Sequence, residues 1–488
     1  MRRTAGRALL VATTLIAAGL TAGPPANAAP QETVAHFVVL AKKGAPLART
    51  EKSVRDAGGR VVRSWPQIGV VVATSANAGF AAAVRPLPGV VAAGATRDLA
   101  ELHNAEPVGT SSMLGSTVDG RSAAGGDEPL AAYQWSMRQI RADRAHDVSG
   151  GSRDVVVGVV DGGLDATHPD LAPNVDPRRS VGCGTEGVPD TSPAAWAPFH
   201  PDFGHGTAVA GIIAAARNGI GIAGVAPNVR IASVRIGDTD GFVYPEYLIC
   251  GYVWAAEHGI QVTSASIFAD PWIRWCDDDP DQAAVAEAME RAIDYAAHRG
   301  VVNVAAIGNS NWDLSHPVLD TESPDNGEPI ERLTGNNCQI VPAETPGVVT
   351  VSAVGAQERK ARYANYGIRD VDVTAPANDV DQLPDTPDQN PGILTTVNGG
   401  NWIYFGGTSA AAPHVAGVVA LIRSTHPHWS PRQVAAALAR QADRLPCPPG
   451  GVYDPDGTGA WLAHCEGGRS GQGFYGFGQV DALDAVTR

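Results

Sequence analysis

The run Val155-Val156-Val157-Gly158-Val159-Val160 constrains the fold more than any other feature of this chain. It is apolar at every position, with no alternation of inside and outside. Such a run is a strand covered on both faces, the mark of a parallel sheet between helical layers. It ends in Asp161, and open α/β sheets place their ligands at the carboxyl ends of strands. Further apolar runs follow at Val229–Ile236, Gln261–Ile267, Val301–Ile307 and Val348–Val354. Helical patterns fall between them near Thr207–Ala216, Pro245–His258 and Asp281–Arg299. This alternation predicts an α/β fold, a parallel sheet with helices on both sides.

Two more stretches carry chemistry. Gly204-His205-Gly206-Thr207 puts a histidine at the start of a helix. Gly406-Gly407-Thr408-Ser409-Ala410-Ala411-Ala412-Pro413-His414 turns on two glycines into an apolar helix. Ser409 falls in the first turn, where free N–H groups and the positive dipole end favour a developing anion. Pro413 deletes one helix hydrogen bond about a turn later, a local override of the kind found at functional sites. Asp, His, Ser is one of three chain orders that build the same triad. A lipase or esterase would need G-x-S-x-G and the order Ser, Asp, His.

These blocks together resemble the secreted subtilisin-family serine proteases, from about Gln134 to the C-terminus. The resemblance implies a three-layer subtilisin-like catalytic domain that hydrolyses peptide bonds. Asp161, His205 and Ser409 take the triad roles. Asn309, in Ala306-Ile307-Gly308-Asn309-Ser310, takes the oxyanion role beside the Ser409 backbone N–H. Ser266 matches a family serine in the substrate-binding segment Thr263–Phe268, where substrates add as an extra strand. The chemistry needs no cofactor. Many relatives bind structural calcium, for which Asp170 and Asn218 fall at suitable positions, but two side chains do not define a metal site.

The sequence also departs from the family pattern. Gly162 stands where a Ser or Thr commonly bonds the catalytic Asp, and Phe268 where many relatives have glycine. Ala208, Ala364, Ala377 and Ala410 replace a frequent His, Ser, Gly and Met. None removes a group that carries charge or protons. They keep open an alternative from another class, a catalytically impaired pseudoenzyme that binds peptides without cutting them. Labelling of Ser409 by a serine-directed phosphonate separates the two.

The N-terminus reads as a secretory signal peptide, residues 1–28. Three arginines precede an apolar stretch too short to span a bilayer, and Ala26-Asn27-Ala28 offers a cleavage site. The expected product is extracellular, monomeric and without a membrane anchor. Residues 29–100 carry the pattern β-α-β-β-α-β, a small ferredoxin-like α+β unit. By the resemblance it is the protein's own inhibitory propeptide, so the chain reads as a zymogen. Residues 101–130 read as an exposed linker and 131–488 as the catalytic domain. Six cysteines in an exported chain suggest disulfides, with 15 pairings open and buried thiols as the competing reading. Chain order suggests Cys183–Cys250, Cys276–Cys338 and Cys447–Cys465. The last pair flanks a Pro/Gly-rich loop expected to have little core of its own. A formal net charge of −15 disfavours nucleic acid as a partner and leaves proteins or peptides as substrates. Three long irregular stretches, 172–203, 308–346 and 376–395, are expected to frame the cleft.

Overall fold

The computed structural model describes residues 34–97, 113–118, 128–468 and 471–488. The expected signal segment lies outside them, as does most of the expected linker.

Residues 34–97 run β1 (Ala35–Leu40), α1 (Ala48–Asp56), β2 (Arg60–Trp65), β3 (Val70–Ser75), α2 (Phe80–Val84), β4 (Ala92–Ala95). The strands form an antiparallel sheet in the order β2-β3-β1-β4. Strand β1 is apolar on both faces, and the structure shows why. Phe37 and Val39 pack with Val54 and Phe80 under α1 and α2. Val38 and Leu40, pointing the other way, join a core that includes Leu248, Ala288 and Met289 of the helices behind the main sheet.

The main body begins with β5 (Met113–Val118) and continues with β6 (Val156–Asp161) and β7 (Val181–Gly182). Next come α3 (His205–Ala214), β8 (Arg230–Arg235), α4 (Pro245–Glu257), β9 (Val262–Ala265), α5 (Pro280–His298) and β10 (Val302–Ala306). Then follow β11 (Val349–Val354), β12 (Val373–Pro376), β13 (Ile393–Val397), β14 (Asn401–Phe405), α6 (Thr408–Thr425) and α7 (Pro431–Gln441). Seven strands form one parallel sheet in the order β12-β11-β10-β9-β6-β8-β7. Val157 and Val159 face a core built with α3 and α6. Val156 and Val160 face a core built with α4 and α5. Both faces of β6 are covered, as its unbroken apolar run requires. From β6 the chain fills one side with β7 and β8, then crosses to the other with β9. Asp161 thus ends the strand at which the winding reverses, where such sheets open a crevice.

One feature differs from expectation. Within the stretch read as a linker, Met113–Val118 form a strand on the edge of β14, which also pairs with β13. No periodicity marks it, because pairing with a distant hairpin creates it. The Cys447–Cys465 loop has little core of its own, as expected, but it joins one supplied from outside: Tyr453 and Ala463 pack on Tyr366 and Phe474. All three disulfides join the pairs suggested by chain order, and among the described residues no cysteine is free.

Candidate active site

Three elements deliver the residues expected to form a triad to one cleft of about 490 Å³. Asp161 comes from the end of β6, His205 opens α3, and Ser409 lies in the first turn of α6. His205 Nδ1 lies 2.8 Å from Asp161 Oδ2 and 3.0 Å from Oδ1. Asp161 is fully buried and His205 is 3% exposed, so water barely competes for that bond. The imidazole is held between rings, stacked on Phe203 and edge-on to Phe405.

The glycine after Asp161 has a packing reason. A side chain at Gly162 would meet the Phe203 ring at 2.4 Å. In place of a hydroxyl, the Gly162 backbone N–H donates to Asp161 Oδ1 at 2.7 Å. The support lost from a Ser or Thr side chain is thus supplied by the main chain.

The turn into α6 requires Gly407, which takes φ of +75°. Pro413 has no N–H for the carbonyl of Ser409. Leaving that buried carbonyl unpaired would cost about 1–3 kcal/mol. The Ser266 hydroxyl donates to it at 3.0 Å, and the Ser409 hydroxyl donates to the Ser266 carbonyl at 3.3 Å. Ser266 therefore brackets the serine from both sides, a contact invisible in either stretch alone. The next residues in the same segment, Ile267 and Phe268, line the cleft.

Asn309 follows β10, exposed at the cleft edge. Its Oδ1 accepts from the Thr408 backbone N–H at 2.8 Å and from the Thr408 hydroxyl at 2.9 Å. With the oxygen committed, the Nδ2 end is left to donate elsewhere. The Ser409 amide, in the first turn, has no helix carbonyl to serve. Thr408 and the buried Asn365 escaped the sequence reading. Asn365 Oδ1 takes the backbone N–H of Ser310 and Trp312, fixing the loop that carries Asn309. A signal existed for Thr408, which lies between Gly407 and Ser409, and Asn365 directly follows Ala364.

Two of the three long irregular stretches wall the cleft, through Phe199 and Phe203 and through Ser310, Trp312, Glu322 and Ile340. The third supports it from behind, where Asn378 Oδ1 accepts the Gly407 N–H. The C-terminal disulfide loop adds Trp461 to the cleft lining, which nothing in the local sequence announces.

The residue pattern and this geometry agree with the comparisons. Residues 152–464 match the family model described as the subtilase family, peptidase family S8. The chain belongs to the subtilase family. With it, the chain is placed among the serine-type endopeptidases. It is 31% identical over 329 residues to fervidolysin of Fervidobacterium pennivorans, spanning 64% of this chain and 41% of that one. It is 29% identical over 319 residues to subtilisin NAT of Bacillus subtilis subsp. natto, spanning 65% and 68%. Among solved structures it resembles the epidermin leader peptide processing serine protease of Staphylococcus aureus. There the TM-score is 0.67 at 22% identity, over 93% of this chain and 98% of that one. The crystal structure of fervidolysin, a keratinolytic enzyme related to subtilisin, gives a TM-score of 0.61 at 24% identity, over 93% and 61%.

As for a metal, the described residues contain no group of three or more His, Cys, Asp or Glu placed to hold one. Asp170 and Asn218 nevertheless lie together, beside Glu128. Asp170 Oδ2 accepts from Ile222 N–H and Trp402 Nε1, but Asp170 Oδ1 and Glu128 Oε2 are buried without a partner. Burial, with the Glu128 charge added, pushes the Asp170 carboxyl up to about 7. Two partnerless carboxylate oxygens are donors that a hard cation can use, though calcium takes six to eight.

Proposed function

We propose that this chain is an exported serine endopeptidase, made as a precursor that residues 34–97 hold inhibited. The observation that carries the catalytic reading is the buried Asp161–His205 pair sharing one cleft with Ser409 at a helix N-terminus. His205 takes the Ser409 proton as Oγ attacks the scissile carbonyl carbon. Asp161 holds the tautomer and stabilises the imidazolium. The Asn309 amide and the Ser409 backbone N–H receive the oxyanion. As the C–N bond breaks, His205 returns the proton to the leaving amine. Water then repeats the sequence on the acyl-enzyme, giving the acid and restoring the hydroxyl. Covalent labelling of Ser409 by a serine-directed phosphonate tests the activated hydroxyl. Three disulfides suit an oxidising compartment, which supports export.

The inhibitory role of the N-terminal unit is supported by charge. Residues 31–100 contain nine basic and four acidic residues, a net +5, against 24 and 47, a net −23, in residues 101–488. Arg60–Glu186, Lys43–Asp294 and Arg85–Asp281 ion pairs join the two. Exposed pairs add little affinity but speed encounter. Isolated 31–100 is expected to inhibit the mature enzyme in trans. Its association rate should fall as salt shortens the Debye length from ~10 Å at 0.1 M to ~3 Å at 1 M. Its dissociation rate should change less. Progress curves over a salt series measure both, and absence of inhibition would remove the propeptide role.

Calcium at Asp170, Glu128 and Asn218 would supply rigidity, not chemistry. At a hundred times its Kd, a bound ion adds about 2.7 kcal/mol of stability. Thermal unfolding with calcium and with a chelator should therefore differ by several degrees, and Asp170→Asn should erase the difference. Equal midpoints in the parent protein would exclude the ion.

A further inference from the structure

A second charged cluster adjoins the cleft and has no part in the hydrolytic chemistry. Val243 lines the cleft, and Tyr244 follows it at the start of α4. Glu246, in the first turn of that helix, is fully buried. Its Oε1 lies 3.1 Å from Arg97 Nη1 and 3.3 Å from His36 Nδ1. The Arg97 guanidinium sits 4.0 Å from the Tyr244 ring centroid and 5.6 Å from that of Tyr247. It also donates to the Tyr247 hydroxyl at 3.2 Å. A buried carboxylate, a stacking ring and a phenol acceptor make a complete recognition set for a planar cation.

Both cationic partners of Glu246 come from residues 34–97. Burial pushes its carboxyl up, but the Arg97 charge and the His36 contact more than offset this and hold it at about 2. Once the N-terminal unit leaves, the acid loses Arg97 and His36 together. It stays beside the cleft, at a helix N-terminus that favours the ionised form. Glu246 Oε2 already lacks a hydrogen-bond partner. A cut that separates 34–97 from the rest must fall after Arg97, so Arg97 lies on the N-terminal side of that bond.

We propose that Tyr244, Glu246 and Tyr247 form a subsite for a basic residue, arginine above all, on the N-terminal side of the scissile bond, and that Arg97 fills it in the precursor. The inference rests on the proteolytic reading above and adds a substrate class to it, peptides carrying an arginine upstream of the cut.

The test uses the full chain after it has processed, with phosphonate labelling of Ser409 as a separate check. One arginine is walked through the positions before the cut in quenched fluorogenic peptides, against alanine. One position should raise kcat/KM by about tenfold or more, with lysine weaker because it lacks the planar fork. Glu246→Gln should erase that advantage and leave the alanine peptide within about twofold. If that variant fails to mature, Tyr244→Leu, which removes the stacking face and keeps the acid, should reduce the advantage instead. An enzyme that labels and cleaves but favours arginine at no position overturns this inference alone. A preparation that neither labels nor cleaves overturns the proteolytic reading. On the processed enzyme with Ser409 blocked by the phosphonate, anisotropy of a labelled peptide of residues 92–100 reads the subsite without turnover, and equal binding with arginine and with alanine at position 97 would sink it.

Discussion

Ser409→Ala is expected to abolish peptide hydrolysis and the separation of residues 34–97 and to leave the fold intact. The side chain is small, and the alanine methyl fits where the hydroxymethyl group stood. The Ser266 hydroxyl keeps its acceptor, because that acceptor is the backbone carbonyl of residue 409. What disappears is the only atom that can form the acyl-enzyme. In subtilisin, a member of this family, loss of the serine or the histidine costs about 10⁶ in kcat. A drop of that order is expected here, below detection in ordinary assays. Expression in a protease-free host, followed by gel analysis, circular dichroism and peptide assay, reads all three outcomes. A folded Ser409→Ala chain that still matures alone would move the nucleophile elsewhere.

Asn309→Leu is expected to lower kcat by about 10²–10³ and to leave KM nearly unchanged, the magnitude found for the corresponding donor in subtilisin. The geometry gives the reason for the split. Asn309 Oδ1 is pinned by two groups of Thr408, so the amide end is set in advance, before any substrate arrives. A donor fixed in this way serves the oxygen once it carries charge, and serves the ground-state carbonyl little. Leucine retains the volume and removes the donor. It also frees the Thr408 N–H and hydroxyl, so a Thr408→Val control is needed. Steady-state kinetics on one peptide decide the point: a change confined to KM would take Asn309 out of the oxyanion role.

Where the sequence was legible, the cause was local. An apolar run without alternation could only be a strand covered on both sides, and β6 lies between two cores. The glycines and the proline around Ser409 marked a turn into a helix that lacks one hydrogen bond, and α6 begins there. The cysteine pairs follow chain order, but only Cys447–Cys465 closes a local loop, while the other two enclose whole helices and strands. What stayed hidden depends on residues far apart in the chain. Ser266 and Pro413 are 147 positions apart, yet one supplies the hydrogen bond that the other withholds. Strand β5 exists only because the edge of β14 accepts it. Trp461 reaches the cleft only because the C-terminal loop packs on Tyr366 and Phe474. The departure at Gly162 looked like a weakened site in sequence. In three dimensions it is the room that Phe203 needs beside His205.

Strand β1 presents Val38 and Leu40 to helices that belong to the other half of the molecule, and β3 adds Val70 and Val72 to the same face. Burial of each such side chain stabilises by about 1.5–3 kcal/mol. The N-terminal unit is thus a two-layer structure that borrows its third layer. Cutting the connection converts an internal core into an interface between two molecules, held afterwards by concentration rather than by covalent linkage. In dilute surroundings the smaller piece departs with a bare apolar sheet, the condition in which a chain opens readily and is itself cut. If residues 34–97 act as the proposed inhibitor, activation would run one way, because the released piece lacks the layer that completes its core.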